Sequence, residues 1–300
     1  MKLQRKLEPG EYFYRFFRKR TYSFHASIYK AGITADTDDI HKARVDLKKV
    51  FALFNFFDML EATGFNQKKS ASLFRDIFLK AGRIRENQVN IQNIDKYGQD
   101  TPGMVLFSRF LKKEQKKFTK AFIAAVVQFD EQRLKEVAKT IKKCCRDISS
   151  ETVTRKSGDY LSKKAGRIKL LAEHPEDENN IHKTRQEMKK MGAIASLLFQ
   201  VIPEPETERL IIKLNQAEVL IGEWHDQVVL LDSLDQFLKS ETRIETGVLK
   251  EMTDLKQHIE SENIRRLEKI MPLVLDVTLM ILQKPIEDKE NKLLNGNSGN

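Results

Sequence analysis

The sequence predicts an all-α protein built from long helices. Three observations point there. Apolar residues recur with a period near that of a helix, about 3.6, along almost the whole chain. Glycine and proline are sparse, at 13 and 7 of 300 residues, and stand mostly where one helix should give way to the next. Charged residues make up 32% of the chain, which suits helices with one solvated face. A 40% apolar share with 18 phenylalanines supplies a core and argues against disorder.

The elements follow in order. A first helix is read over about 8–30 and stops at Gly32. A second starts behind the aspartates of 36–39, with Asp38 and Asp39 read as caps, and stops near Gly64. A third covers about 67–97 and ends at Gly98. The fourth opens with Thr101-Pro102, an N-cap followed by proline where its missing N–H costs nothing. A fifth covers about 130–149 and a sixth about 152–173, followed by the polar linker "HPEDENN". The seventh runs over about 180–201 and is closed by Pro203; the eighth runs over about 205–239. One or two further helices fill 242–283, bent at Pro272. Residues 286–300 read as a disordered tail.

Two segments recur. His41, Arg44, Lys48 and Lys49 match His182, Arg185, Lys189 and Lys190 at an offset of 141. "AGRIRENQV" (81–89) matches "IGEWHDQVV" (221–229) at an offset of 140, with Gly82 on Gly222 and Glu86-Asn87 on Asp226-Gln227. The same order at nearly one spacing marks two similar helical halves, 5–150 and 151–285, related by pseudo-twofold symmetry.

The segments "IHKARVDLKKVFALFNFF" and "IHKTRQEMKKMGAIASLLF", each followed by Gly-x-x-[Arg/His]-[Glu/Asp], resemble the two halves of the conserved-histidine α-helical domain (CHAD) family. The resemblance covers about residues 5–285. It implies two four-helix-bundle-like halves forming one domain around a basic central groove or pore, and binding of inorganic polyphosphate. Some members of that family carry an added triphosphate-tunnel catalytic domain with a Glu-x-Glu-x-Lys strand, and this sequence has no such strand. It departs from the family's usual Leu-Gly-x-x-Arg-Asp pattern, with Ala81 and Glu86 in the first copy and His225 in the second.

Net charge is +10 and the pI about 9.4, which favours an anionic partner. Residues 1–200 hold 41 Lys and Arg against 24 Asp and Glu, a net +17; residues 201–300 hold 12 against 19, a net −7. Solubility does not require that segregation. A polyanion-binding surface built from the first two-thirds does. The two cysteines, Cys144 and Cys145, are adjacent and form no Cys-x-x-Cys pair, so a reducing compartment without structural zinc is expected. The N-terminal stretch has no apolar h-region, and no run is long enough to cross a membrane. The expected location is the cytoplasm or polyphosphate granules within it, with no membrane partner.

On a helical wheel, His41, Arg44 and Lys48 fall on a stripe about 60° wide beside the apolar stripe of Ile40, Leu47, Val50, Phe51 and Phe54. His182, Arg185 and Lys189 repeat this beside Ile181, Met188 and Ala195. Arginine offers a planar fork for two phosphate oxygens, lysine a point charge, histidine a further donor that a nearby anion would help protonate. The fourth helix carries Arg109, Lys113, Lys116 and Lys120 on one face, opposite Phe107, Leu111, Phe118 and Phe122. Lys135, Lys139, Lys142 and Arg146 share a face of the fifth; Lys156, Lys163 and Arg167 share one of the sixth. Each stripe alone could be an ordinary wet face. Parallel cationic rods suit a linear polyanion, whose binding would be strongly salt-dependent. Glycine at 82 and 222 is read as letting two long helices cross closely. Glu86 and Asp226 are read as orienting the Arg or His of the second and seventh helices, and Trp224 as core.

The expected function is therefore non-catalytic binding of inorganic polyphosphate, with no cofactor and no metal. His41 and His182 follow no zinc-ligand spacing, and no P-loop, nucleophile elbow or dinucleotide turn is present. The alternatives are a metal-assisted enzyme on phosphate polymers or phosphoesters, and a nucleic-acid-binding helical protein. The latter lacks evident stacking platforms, because aromatic residues are read on apolar faces.

Overall fold

The computed structural model describes residues 7–98, 101–240 and 245–283, and every regular element among them is helical. The tail expected at 286–300 lies outside the described residues. The helices are α1 (Pro9–Thr34), α2 (Thr37–Met59), α3 (Gln67–Ile94), α4 (Pro102–Val127), α5 (Glu131–Cys144), α6 (Ser150–Ala172), α7 (Glu178–Val201), α8 (Pro205–Ser240) and α9 (Thr246–Leu282). Short 3-10 turns follow α3 and α5. No helix among the described residues is long and apolar enough to cross a membrane.

The ends of the helices show what the local sequence does. Asp36 caps α2, its carboxylate accepting the N–H groups of Asp38 and Asp39 at 2.9 and 3.0 Å. One aspartate of the cluster thus caps, and Asp38 and Asp39 are its donors rather than caps themselves. Thr101 stands at the N-cap of α4, yet its side chain makes no cap. Its hydroxyl donates to Glu251 of α9, whose second oxygen accepts the Gly103 N–H at 3.0 Å. A carboxylate from a distant helix therefore does the capping and ties α9 to α4. The first helix runs past Gly32 to Thr34, where Ala35 closes it in the left-handed region at φ 54°. The last is a single helix that continues through Pro272.

Packing follows the repeat. In the first half α1 packs on α2, α2 on α3, α3 on α4, and α4 returns to α1; in the second, α6 packs on α7, α7 on α8, α8 on α9, and α9 returns to α6. The extra helix α5 lies against α1 and α3. The halves meet where α2 packs on α7 and α3 on α8, the four helices that carry the repeated motifs. The first half has an aromatic core including Phe13, Phe17, Phe54, Phe56, Phe57 and Phe74. Each of those rings contributes about 1.5–3 kcal/mol by burial. A second core joins Leu161, Met188, Leu214 and Trp224. A third draws on both halves, with Ile94, Phe107 and Leu111 against Leu230, Phe237 and Met252. Asn90 fixes the α3–α8 register by donating to Ser233 at 2.7 Å. The shared core makes the two halves one structural unit.

Candidate functional site

Helix α2 buries Ile40, Ala43, Leu47 and Val50. That leaves the flank of Arg44 and Lys48 turned toward α7, whose own Ile181 and Met188 are buried in the same way. Arg44, Lys48, Arg185 and Lys189 thus come together where the halves meet, each acting electrostatically on the others. Arg85 of α3 joins them, acting on His41 and Lys48. Among the described residues, no carboxylate lies within 4.0 Å of any of these five cations.

Burial, and for the lysines like charge beside it, shows in their basicity. Burial first, then Arg185 and Lys48, push the Lys189 ammonium down to about 8. Burial likewise lowers Arg44, Lys48 and Arg185. Lys48 remains exposed while protein surrounds it closely, as expected of a side chain lining a groove. Burial, then Arg185, take His225 to about 3, so it is neutral at any physiological pH. His41 is lowered by burial and then by Arg85. The acids Glu218 and Asp226 are raised because burial outweighs the nearby cations. The Arg185 Nε and His225 Nδ1 atoms are buried without a hydrogen-bond partner among the described residues.

Arg44 is held in place. Its guanidinium lies 4.4 Å from the Phe78 ring centroid and donates to the Phe78 carbonyl at 3.0 Å. It passes over Gly82, where a Cβ would sit 2.9 Å from Nη1. Gly82 thus makes room for an arginine rather than for a helix crossing. Among the described residues a Cβ on Gly222 would meet nothing within 4 Å, so close packing does not explain that glycine either. The expected pairing of Glu86 and Asp226 with α2 and α7 is not formed as contact. Glu86 pairs with Arg83 of its own helix at 3.8 Å, and Asp226 acts on Arg185 only at longer range.

His182 lies 3.4 Å from Glu178, with its ring 5.0 Å from Trp224 and 5.3 Å from His225. Trp224 is buried in the second core, as read. The other sequence candidates lie apart from the centre. Arg109, Lys113 and Lys116 line a separate cavity of about 780 Å³ between α3 and α4, with Asp95. Lys120, Lys139 and Lys142 are exposed, and Lys142 sits 6.0 Å from the Tyr14 ring. Arg146 leaves the face of α5 because that helix ends at Cys144 and Arg146 falls in a 3-10 turn. Lys163 is exposed on α6, and Arg167 lies 3.4 Å from Glu187. Both cysteines are free and buried.

Sequence reasoning missed three groups. Arg15, Lys19 and Arg20 of α1, with Lys48, Lys49 and Lys189, line a cavity of about 730 Å³ in which Glu218 is the one acid among the described residues. The run "RFFRKR" held this signal but belongs to no repeat. Arg85 stood inside the Gly82-x-x-Arg85-Glu86 segment itself. Asp46 and Glu187 match at the same offset of 141 and are both buried. Asp46 lies 3.4 Å from Arg20; Glu187 lies 2.6 Å from Lys164. Among the described residues, no group of three or more His, Cys, Asp or Glu is placed to hold a metal ion.

A family model described as the CHAD domain matches residues 25–235. The crystal structure of the CHAD domain from the plant Ricinus communis superposes with a TM-score of 0.68. That match has 15% sequence identity and covers 91% of this chain and 94% of the plant domain. No curated protein shows a significant match.

Proposed function

Because the chain belongs to the CHAD domain family, we propose that it binds inorganic polyphosphate, without chemistry, in the basic centre between its two halves. One observation carries this reading: Arg44, Arg185 and Lys189, half-buried, and the more exposed Lys48 are gathered with no carboxylate in contact among the described residues. Confined unpaired cations raise the free energy of the fold and are relieved by an anion. A row of phosphates supplies that charge. The α1 basic wall extends the site from the centre to the surface.

Calorimetry with polyphosphates of graded length tests the reading. Micromolar or tighter binding should appear, strengthen with chain length and weaken steeply with salt through counterion release. No binding at low salt would sink it. Gly82→Leu should push the Arg44 guanidinium off its seat and weaken binding about tenfold, one charge-assisted contact's worth.

A nucleic-acid reading has one observation in its favour. Tyr22 and Tyr29 are 80% and 67% exposed on α1, the helix that carries Arg15, Arg18 and Lys19, so aromatic side chains are not confined to apolar faces as read. Competition separates the two. RNA or DNA that displaces polyphosphate at equal phosphate concentration would favour the nucleic acid.

A further inference from the structure

The two halves differ at one point that the repeat makes visible. In the first half Phe51 of α2 packs edge-on against Phe78 of α3, with ring centroids 4.9 Å apart. At offsets of 141 and 140 the second half has Gly192 on α7 and Glu218 on α8. A Cβ on Gly192 would fall 2.5 Å from Glu218 Oε1. A pair of rings is thus replaced by a hydrogen atom and a carboxylate. Both replacements line the basic cavity of about 730 Å³.

That cavity lies on one side of the central cations. The cavity on the other side, about 650 Å³, is lined by Arg44, Lys80 and Arg83 but also by Asp76, Glu86 and Asp232. Lys80 lies 2.6 Å from Asp76, and Arg83 lies 3.8 Å from Glu86. This second side offers a polyanion little net attraction. A linear chain entering the basic cavity is therefore held as far as the centre and not drawn beyond it.

Glu218 is out of place in a site for internal phosphates. It faces Lys189 and Arg185 of α7 and Lys48 of α2. Internal phosphates of a chain carry only acceptor oxygens, so a carboxylate among them repels. A terminal phosphate is different: its last proton has a pKa of about 6, and the P–O–H that holds it is a donor. We propose that this cavity holds the end of a polyphosphate chain, the terminal phosphate lying against Lys48 and Lys189 and donating its proton in a hydrogen bond to Glu218. This rests on the polyphosphate reading above and names what the site selects. A half-buried acceptor discriminates against ligands that lack the matching donor.

Linear tripolyphosphate has two ends, and cyclic trimetaphosphate has none. Calorimetry of both at pH 6 on the full chain and on Glu218→Gln gives the test, because simple repulsion by Glu218 weighs most on the more highly charged tripolyphosphate, so its removal would raise the linear preference, whereas loss of the hydrogen bond lowers it. The wild-type chain should prefer tripolyphosphate, and Glu218→Gln should lose about tenfold of that preference. Trimetaphosphate should bind the variant at least as well as the wild type, which also shows that the variant is folded. Glu218→Gln raising the preference for tripolyphosphate, or leaving it unchanged, overturns the proposal: Glu218 would then only repel. If neither ligand nor long polyphosphate binds the wild-type chain, the polyphosphate reading itself falls.

Discussion

Replacing Lys48 and Lys189 together by glutamine should weaken polyphosphate binding about a hundredfold and at the same time make the free protein more stable. The binding loss is two charge-assisted contacts, and the salt slope should flatten by about two. The stability gain comes from the same charges. Lys189 is pushed from 10.5 to about 8, first by burial and then by Arg185 and Lys48. A shift of that size corresponds to a cost on the order of 3 kcal/mol in the free fold. The sign gives a pH signature. Below pH 8 the ammonium is charged in both the folded and the unfolded chain, and the cost is fully present. Above pH 8 the folded chain gives up the proton while the unfolded chain keeps it until about 10.5, so stability rises with pH. Urea unfolding at pH 7 and pH 9 should show the wild type gaining stability and Lys189→Met gaining none. Adding polyphosphate at pH 7 should stabilise the wild type and not the double variant. A variant that loses both binding and stability would place these lysines among structural ion pairs instead.

How far the sequence discloses this centre depends on the kind of signal. Helices were legible because each writes its own 3.6-residue period and punctuation; α3 and α8 were readable to within a few residues. Arg44, Lys48, Arg185 and Lys189 were legible because duplication separates a repeated requirement from an ordinary wet face. The stripe of Arg109, Lys113 and Lys116 looked just as strong on a wheel, yet it lines a different cavity. A wheel reports which residues share a face; it does not report which helix that face meets. Glu251 capping α4 from 148 residues away along the chain was beyond any local rule. The contrast of Phe51 and Phe78 with Gly192 and Glu218 was present in the repeat alignment all along. It acquired meaning only once packing showed those positions lining the centre.

Glu187→Ala should cost about 3–5 kcal/mol, as much as truncating a buried aromatic ring. Its carboxylate is 5% exposed and lies 2.6 Å from Lys164, 3.4 Å from Arg167 and 3.5 Å from Lys190. Burial alone would raise its pKa, but Lys164, Lys190 and Arg167 reverse that and leave it lowered. The stability it contributes is therefore present above the ordinary glutamate range near 4.5 and is lost as pH falls below it. Removing it strands cations between α6 and α7 without a counter-charge. In a chain of this size the loss should lower the melting midpoint by about 6 °C. Asp46, its counterpart at offset 141, pairs among the described residues with Arg20 alone, at 3.4 Å, so Asp46→Ala should cost less. Glu187 sits two residues from both Arg185 and Lys189, which puts it on the other side of α7 from them. Polyphosphate affinity measured well below the melting point should therefore stay within a few fold of wild type in Glu187→Ala. A loss of binding as large as in the lysine double variant would mean that the acid holds the central cations in place. In that case the repeated carboxylate and the repeated cations would form a single device; on the proposed reading one serves the fold and the other the ligand.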